Sequence, residues 1–105
     1  MRKADLIDQV SQKTGVSKID VLVTVETMLL AIQESLALGN PVFLRGFGTF
    51  APKKRAAKTG RNIKRGLAVH IPEHYIPHFK PGAEFKAKMK RLTGGVRDGN
   101  QTMQP

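Results

Sequence analysis

Apolar positions in the first third of the chain recur with the period of a helix. Leu6, Ile7 and Val10 fall on one side of residues 3–14, with Asp5, Asp8, Gln9 and Gln12 opposite. A short amphipathic helix is predicted there, stopped by Gly15. Ser17-Lys18-Ile19-Asp20 then reads as a second start, a serine N-cap with an acid three residues on. This helix is predicted from Lys18 to about Leu38. Leu22, Val25, Leu29, Ile32 and Leu36 step by three and four residues into one stripe, and Val21, Val23, Met28, Leu30 and Leu38 widen it beyond one face. A helix so apolar needs cover on more than one side.

Gly39-Asn40-Pro41 ends the helix, and the pattern changes to that of strands. Val42–Arg45 reads as a short strand, Gly46-Phe47-Gly48 as a turn, and Thr49-Phe50-Ala51 as the root of a ribbon. A turn signal at Thr59-Gly60 suggests a hairpin, with Leu67–Ile71 as its return strand and Leu67, Val69 and Ile71 on one face. Pro72 and Pro77 each remove a ladder donor, so the segment through Pro81 is an edge or is broken at these points. A last helix is expected over about Gly82–Arg91, with Phe85 and Met89 as its buried pair. Residues 92–105 have no periodicity and read as a disordered tail. Residues 1–91 are expected to form one domain, its arm at about 52–72.

Charge changes the picture. Of a net +10, the stretch from Lys53 to Gly66 carries +7 without an Asp or Glu, through Lys53, Lys54, Arg55, Lys58, Arg61, Lys64 and Arg65. Its apolar residues are Ala56, Ala57 and Ile63, too few to hold it against a core. A projecting cationic hairpin is therefore expected, with a polyanion as partner. Charge this local favours nucleic acid over a general solubility coat. An anionic membrane surface fits less well, since the arm lacks the apolar face of an interfacial anchor. No apolar run approaches the ~20 residues of a membrane span. Met-Arg-Lys-Ala-Asp leads into a helix, not a signal-peptide core, so a cytoplasmic protein is expected.

Size argues for self-association. Without the arm, a body of roughly 75 residues buries only about 60% of its unfolded surface. The chain has no Trp, and no Cys to form a disulfide. The absence of Cys excludes thiolate zinc sites and thiol catalysis and fits a reducing compartment. Leu29, Ile32 and Leu36 on the long helix, with Phe47, Phe50 and Phe79 near the ribbon root, are the expected dimer core. Phe47 and Phe50 suit a core better than base stacking, which needs exposed rings beside cations.

Gly46-Phe47-Gly48-Thr49-Phe50, Arg55, Thr59-Gly60-Arg61-Asn62, Gly66, Ile76-Pro77-x-Phe79 and Gly82 together resemble the bacterial HU and integration-host-factor family over residues 1 to about 91. Leu6-Ile7-Asp8 and Ser17-Lys18 fit the same pattern. The resemblance implies an α+β intertwined homodimer: a helical base, a small antiparallel saddle, two projecting β-ribbon arms and a short C-terminal helix. It implies double-stranded DNA as partner, held in the minor groove and bent, with nucleoid organisation as the role. Lys3, Lys80 and Lys86 enter as flanking phosphate contacts on the same ground. Arg61 and Asn62 supply at most a bias toward A·T, and Ile63 stands where the family usually has an arm-tip proline. Lys64 and Arg65 follow where neutral residues are more usual, so attraction for phosphate at the tip is expected to be greater.

Three other readings compete. A site-specific integration-host-factor-like protein, usually a heterodimer, would use the same fold. An RNA-binding variant of the fold is the second, because phosphate contacts are blind to the sugar unless the 2′-OH is read. His70, His74 and His78, with Glu73 nearby, recur every four residues and raise a metal site, but zinc needs converging ligands. With no nucleophile–base pair, phosphate loop or paired carboxylates, no enzyme, cofactor or small-molecule substrate is expected.

Overall fold

The computed structural model of the chain describes residues 1–62 and 66–92. Helices α1 (Lys3–Thr14) and α2 (Lys18–Ala37) precede strands β1 (Val42–Leu44), β2 (Gly48–Arg55), β3 (Lys58–Asn62), β4 (Leu67–Ile71) and β5 (His74–Pro81), and helix α3 (Ala83–Met89) closes the order. The class is α+β, as expected.

Gly15, Ser17 and Gly39 bound the helices as predicted, and an Arg2–Asp5 contact starts the first. The Arg2 main-chain N–H donates to the Asp5 carboxylate at 2.8 Å, and Gly15, at φ 78°, ends α1. The Ser17 hydroxyl accepts from the Asp20 N–H at 3.3 Å to cap α2. At the far end Gly39 donates to the Leu36 carbonyl and Asn40 to the Ser35 carbonyl, both at 2.9 Å. This double bond pattern is a Schellman motif, and it requires the left-handed backbone of Gly39, at φ 87°.

The sheet forms two sections. In the first, β2 lies between β1 and β5; in the second, β3 pairs with β4. All pairings are antiparallel. Arg55 pairs with His74 on one side of the gap and Lys58 with Ile71 on the other. Both strands therefore advance by three residues, and one register runs through the whole ribbon. The ladder stops at Ala56-Ala57 opposite Pro72-Glu73, where Pro72 has no N–H to donate. Pro77 stays within β5, but β5 is the edge strand and Pro77 faces Pro52, so neither ring is asked for a ladder bond.

Two expectations need correction. Thr59 and Gly60 do not turn the chain: they lie within β3, paired with His70 and Val69. The pairing continues out to Asn62 opposite Leu67, so the arm is longer than the Thr-Gly signal suggested. Phe85 and Met89 are not a buried pair either. Phe85 joins an aromatic cluster, whereas Met89 is 53% exposed, because the short α3 presents only one residue to that cluster.

Little is buried in a single chain. Ile7 and Val21, packed between α1 and α2, are the buried apolar residues among those described. Leu6 and Val10, on the expected inner side of α1, stay exposed. Phe47, Phe50, Phe79 and Phe85 form a second small core at the ribbon root, with ring centroids 4.8–6.1 Å apart. Gly48 lets the strands close here: a Cβ on it would lie 2.6 Å from both the Lys80 carbonyl and the Phe79 ring.

Candidate nucleic-acid interface

Alternation along the ribbon sorts its side chains onto two faces. One face carries the cross-strand pairs Phe50–Phe79, Pro52–Pro77 and Lys54–Tyr75. The other carries Thr49–Lys80, Ala51–His78, Lys53–Ile76 and Arg55–His74. The first is apolar at its root and packs toward α2; the second is cationic. Lys53, Arg55 and Lys80 are exposed on the cationic face.

The few acids near the expected contact residues are placed selectively. Between Val42 and Ala83 the sequence holds one, Glu73. It forms an ion pair with Lys54 across the ribbon, on the face away from Lys53 and Arg55. Lys54 is thus partly neutralised. Lys3, expected as a flank contact, has its ammonium 2.7 Å from the Glu26 carboxylate, tying the start of α1 to α2. Lys58 on β3 and Lys86 on α3 are exposed. Arg61 and Asn62 take their backbone places opposite Ala68 and Leu67 at the far end of the ribbon. Ile63, Lys64 and Arg65 lie outside the described residues, as does the tail from Thr93 onward.

The expected dimer-core residues divide into two groups. Leu29, Ile32 and Leu36 of α2 line an open groove of about 940 Å³ together with Phe50, Tyr75 and Ile76 of the ribbon. Phe47 and Phe79 belong instead to the aromatic cluster within the chain, which Phe79 joins to the groove through Phe50. Leu29 stays 44% exposed in the single chain, and Leu30 and Val23 more so. The histidines His70, His74 and His78 are strung along β4 and β5. At about 3.3 Å per residue they stand roughly 13 Å apart, much too far to share an ion. Among the described residues no three His, Asp or Glu side chains converge as metal ligands.

The chain as a whole is similar to known proteins in sequence and in fold. A family described as bacterial DNA-binding protein matches residues 1–90. The DNA-binding protein HU of Thermus thermophilus is 46% identical over 89 residues, which cover 85% of this chain and 92% of that protein. The integration host factor β subunit of Marinobacter nauticus is 41% identical over 90 residues, with 85% and 92% covered. Among solved structures, an HU–DNA cocrystal structure from Anabaena matches with a TM-score of 0.82 at 35% identity, over 85% of this chain and 97% of that one.

Proposed function

Because the chain belongs to the bacterial DNA-binding protein family of HU and integration host factor, we propose that its ribbon arm clasps duplex DNA and bends it largely without sequence preference. The family is architectural, not enzymatic. The observation that carries the proposal is the acid-free face on which Lys53, Arg55 and Lys80 stand in register. From Lys53 to Asn62 the strand runs about 30 Å at 3.3 Å per residue, enough to follow a groove around the duplex.

On this reading Lys53, Arg55, Lys58, Arg61, Lys64, Arg65, Lys80 and Lys86 meet phosphates or the groove floor, with Asn62 near the bases. Lys54 and Lys3 contribute less, since each must leave a carboxylate to reach a phosphate. Ile63 acts as an apolar wedge between base steps. Wedging of this kind is a rule drawn from HU and integration host factor themselves, and isoleucine is among the side chains that serve. Bending costs of order 1–6 kcal/mol, which the added contacts offset.

The acting species is a dimer. In one chain Leu29 is exposed and Ile32 and Leu36 are only half-buried along an open groove, and a body with so few buried side chains is marginal alone. A second copy laid into the groove covers them. No described helix is long and apolar enough to cross a membrane, and we place the protein on the nucleoid in the cytoplasm.

Likeness to integration host factor β subunits supports a second reading, site-specific bending as part of a heterodimer. Gel shifts on a labelled duplex against a large excess of unrelated DNA separate the two. Loss of the shift is expected here, and a surviving complex marks a preferred site. Double-stranded RNA in the same series tests the choice of nucleic acid: weaker binding than to DNA is expected.

A further inference from the structure

The cationic face holds more than lysine and arginine. His74 pairs with Arg55 and His78 with Ala51, so both imidazoles stand on the face that bears Lys53, Arg55 and Lys80. His70 pairs with Thr59 beyond the ladder gap, and counting the alternation across the equal three-residue advance of both strands assigns it to the same face. All three are exposed.

We propose that His70, His74 and His78 form a second row of DNA contacts along the arm, binding phosphate oxygens in their protonated form. The inference rests on the DNA-binding reading above and adds three residues to it. A row of single imidazoles strung along a strand, without a shared centre, suits a line of phosphates and not a metal ion.

The chemistry of His74 is the most defined. Its Nδ1–H donates to the Pro72 carbonyl at 2.9 Å, because a carbonyl can only accept. The neutral ring therefore leaves Nε2 without a proton. On protonation Nε2 becomes a charged donor, turned to a new partner while Nδ1 keeps its own.

The surroundings decide what that partner is. His74 faces Arg55 directly and Lys53 diagonally; His78 faces Ala51 with Thr49 and Lys53 on the diagonals and Lys80 two residues on; His70 faces Thr59. Strand β1, on the far side of β2, holds Val42, Phe43 and Leu44 and no charge. Helix α2 lines the groove with Phe50, Pro52, Tyr75 and Pro77 of the other face, together with Ile76, none of them charged. Glu73, the acid of the ribbon, is engaged by Lys54 on that face too. Among the described residues a protonated histidine in this row thus has cations for neighbours and no carboxylate, and an anion from outside stabilises it. DNA binding and histidine protonation then favour each other.

The test is duplex binding by wild type and by the triple variant H70N/H74N/H78N, near pH 8 and near pH 5.5 at one ionic strength. Imidazole changes charge between those values. Wild type is expected to tighten by about tenfold or more on acidification, its log–log salt slope steepening by about one unit per imidazole engaged. The triple variant is expected to match wild type near pH 8 and to change less than about threefold between the two conditions. A second variant, H70R/H74R/H78R, fixes the charge and is expected to bind tightly at both. A triple asparagine variant that tightens as much as wild type overturns the proposal and leaves the DNA-binding reading intact. If wild type binds duplex at neither pH, the underlying reading falls and the histidine row with it.

Discussion

Phe50 and Phe79 face each other across β2 and β5 with ring centroids 4.8 Å apart, and Phe79 also lies 5.3 Å from Phe47. This pair joins the aromatic cluster within the chain to the groove offered to a second chain. Phe79→Ala should therefore damage both, lowering stability by about 3 kcal/mol, the scale of large-to-small changes at packed aromatics. Urea unfolding at fixed protein concentration measures it. A loss under about 1 kcal/mol would mean that the cluster does not organise the ribbon root.

The groove beside Leu29, Ile32 and Leu36 makes folding and pairing one process. The melting temperature is expected to rise with protein concentration, since only the dimer fills the groove. Ile32→Glu should give a chain that neither pairs nor melts cooperatively, read by sedimentation equilibrium and circular dichroism. A stable, folded monomer of wild type is the outcome that this half-covered stripe does not allow.

The Lys54–Glu73 pair yields a prediction of opposite sign. Removing the acid with Glu73→Gln frees Lys54 and adds one unit of positive charge to the arm. DNA binding should tighten severalfold at low salt, with the advantage fading as salt screens it. Lys54→Ala should cost less affinity than Arg55→Ala, whose guanidinium has no ion pair among the described residues. The same duplex titration compares all three variants, and equal losses for Lys54→Ala and Arg55→Ala count against the pairing.

Helix ends and strand sequence were legible in the chain because they rest on local chemistry. Ser17, Gly15 and Gly39 act through bonds to residues within five positions. The extent of the arm was not legible in the local turn signal, although the family resemblance set its tip at Ile63. Thr59-Gly60 carries a turn signal, but register is fixed at the root, where Gly48 admits Phe79 and Pro52 meets Pro77. Counting outward from there puts Gly60 opposite Val69, inside the ladder. The cationic residues were found by composition alone, whereas their division into a free face and a paired one was not. Glu73 lies nineteen positions from Lys54, and only the ribbon brings them together. Met89 misled for a related reason: helical spacing names a face but not whether anything packs on it.

Ile63 supplies the prediction most particular to bending. Ile63→Ala should leave most of the affinity, which is electrostatic, and lower the closure rate of short DNA rings. Equal ring closure by variant and wild type would show that the side chain is no wedge. Arg61→Ala should do the reverse, weakening binding on all sequences.

The dependence of duplex affinity on salt tests the central claim most directly, because it counts phosphates without assuming a geometry. With about eight phosphates neutralised by the two arms, log affinity against log salt is expected to fall with a slope near −7. A slope shallower than about −2 would contradict the account, since a cationic ribbon laid along DNA must release more counterions than that.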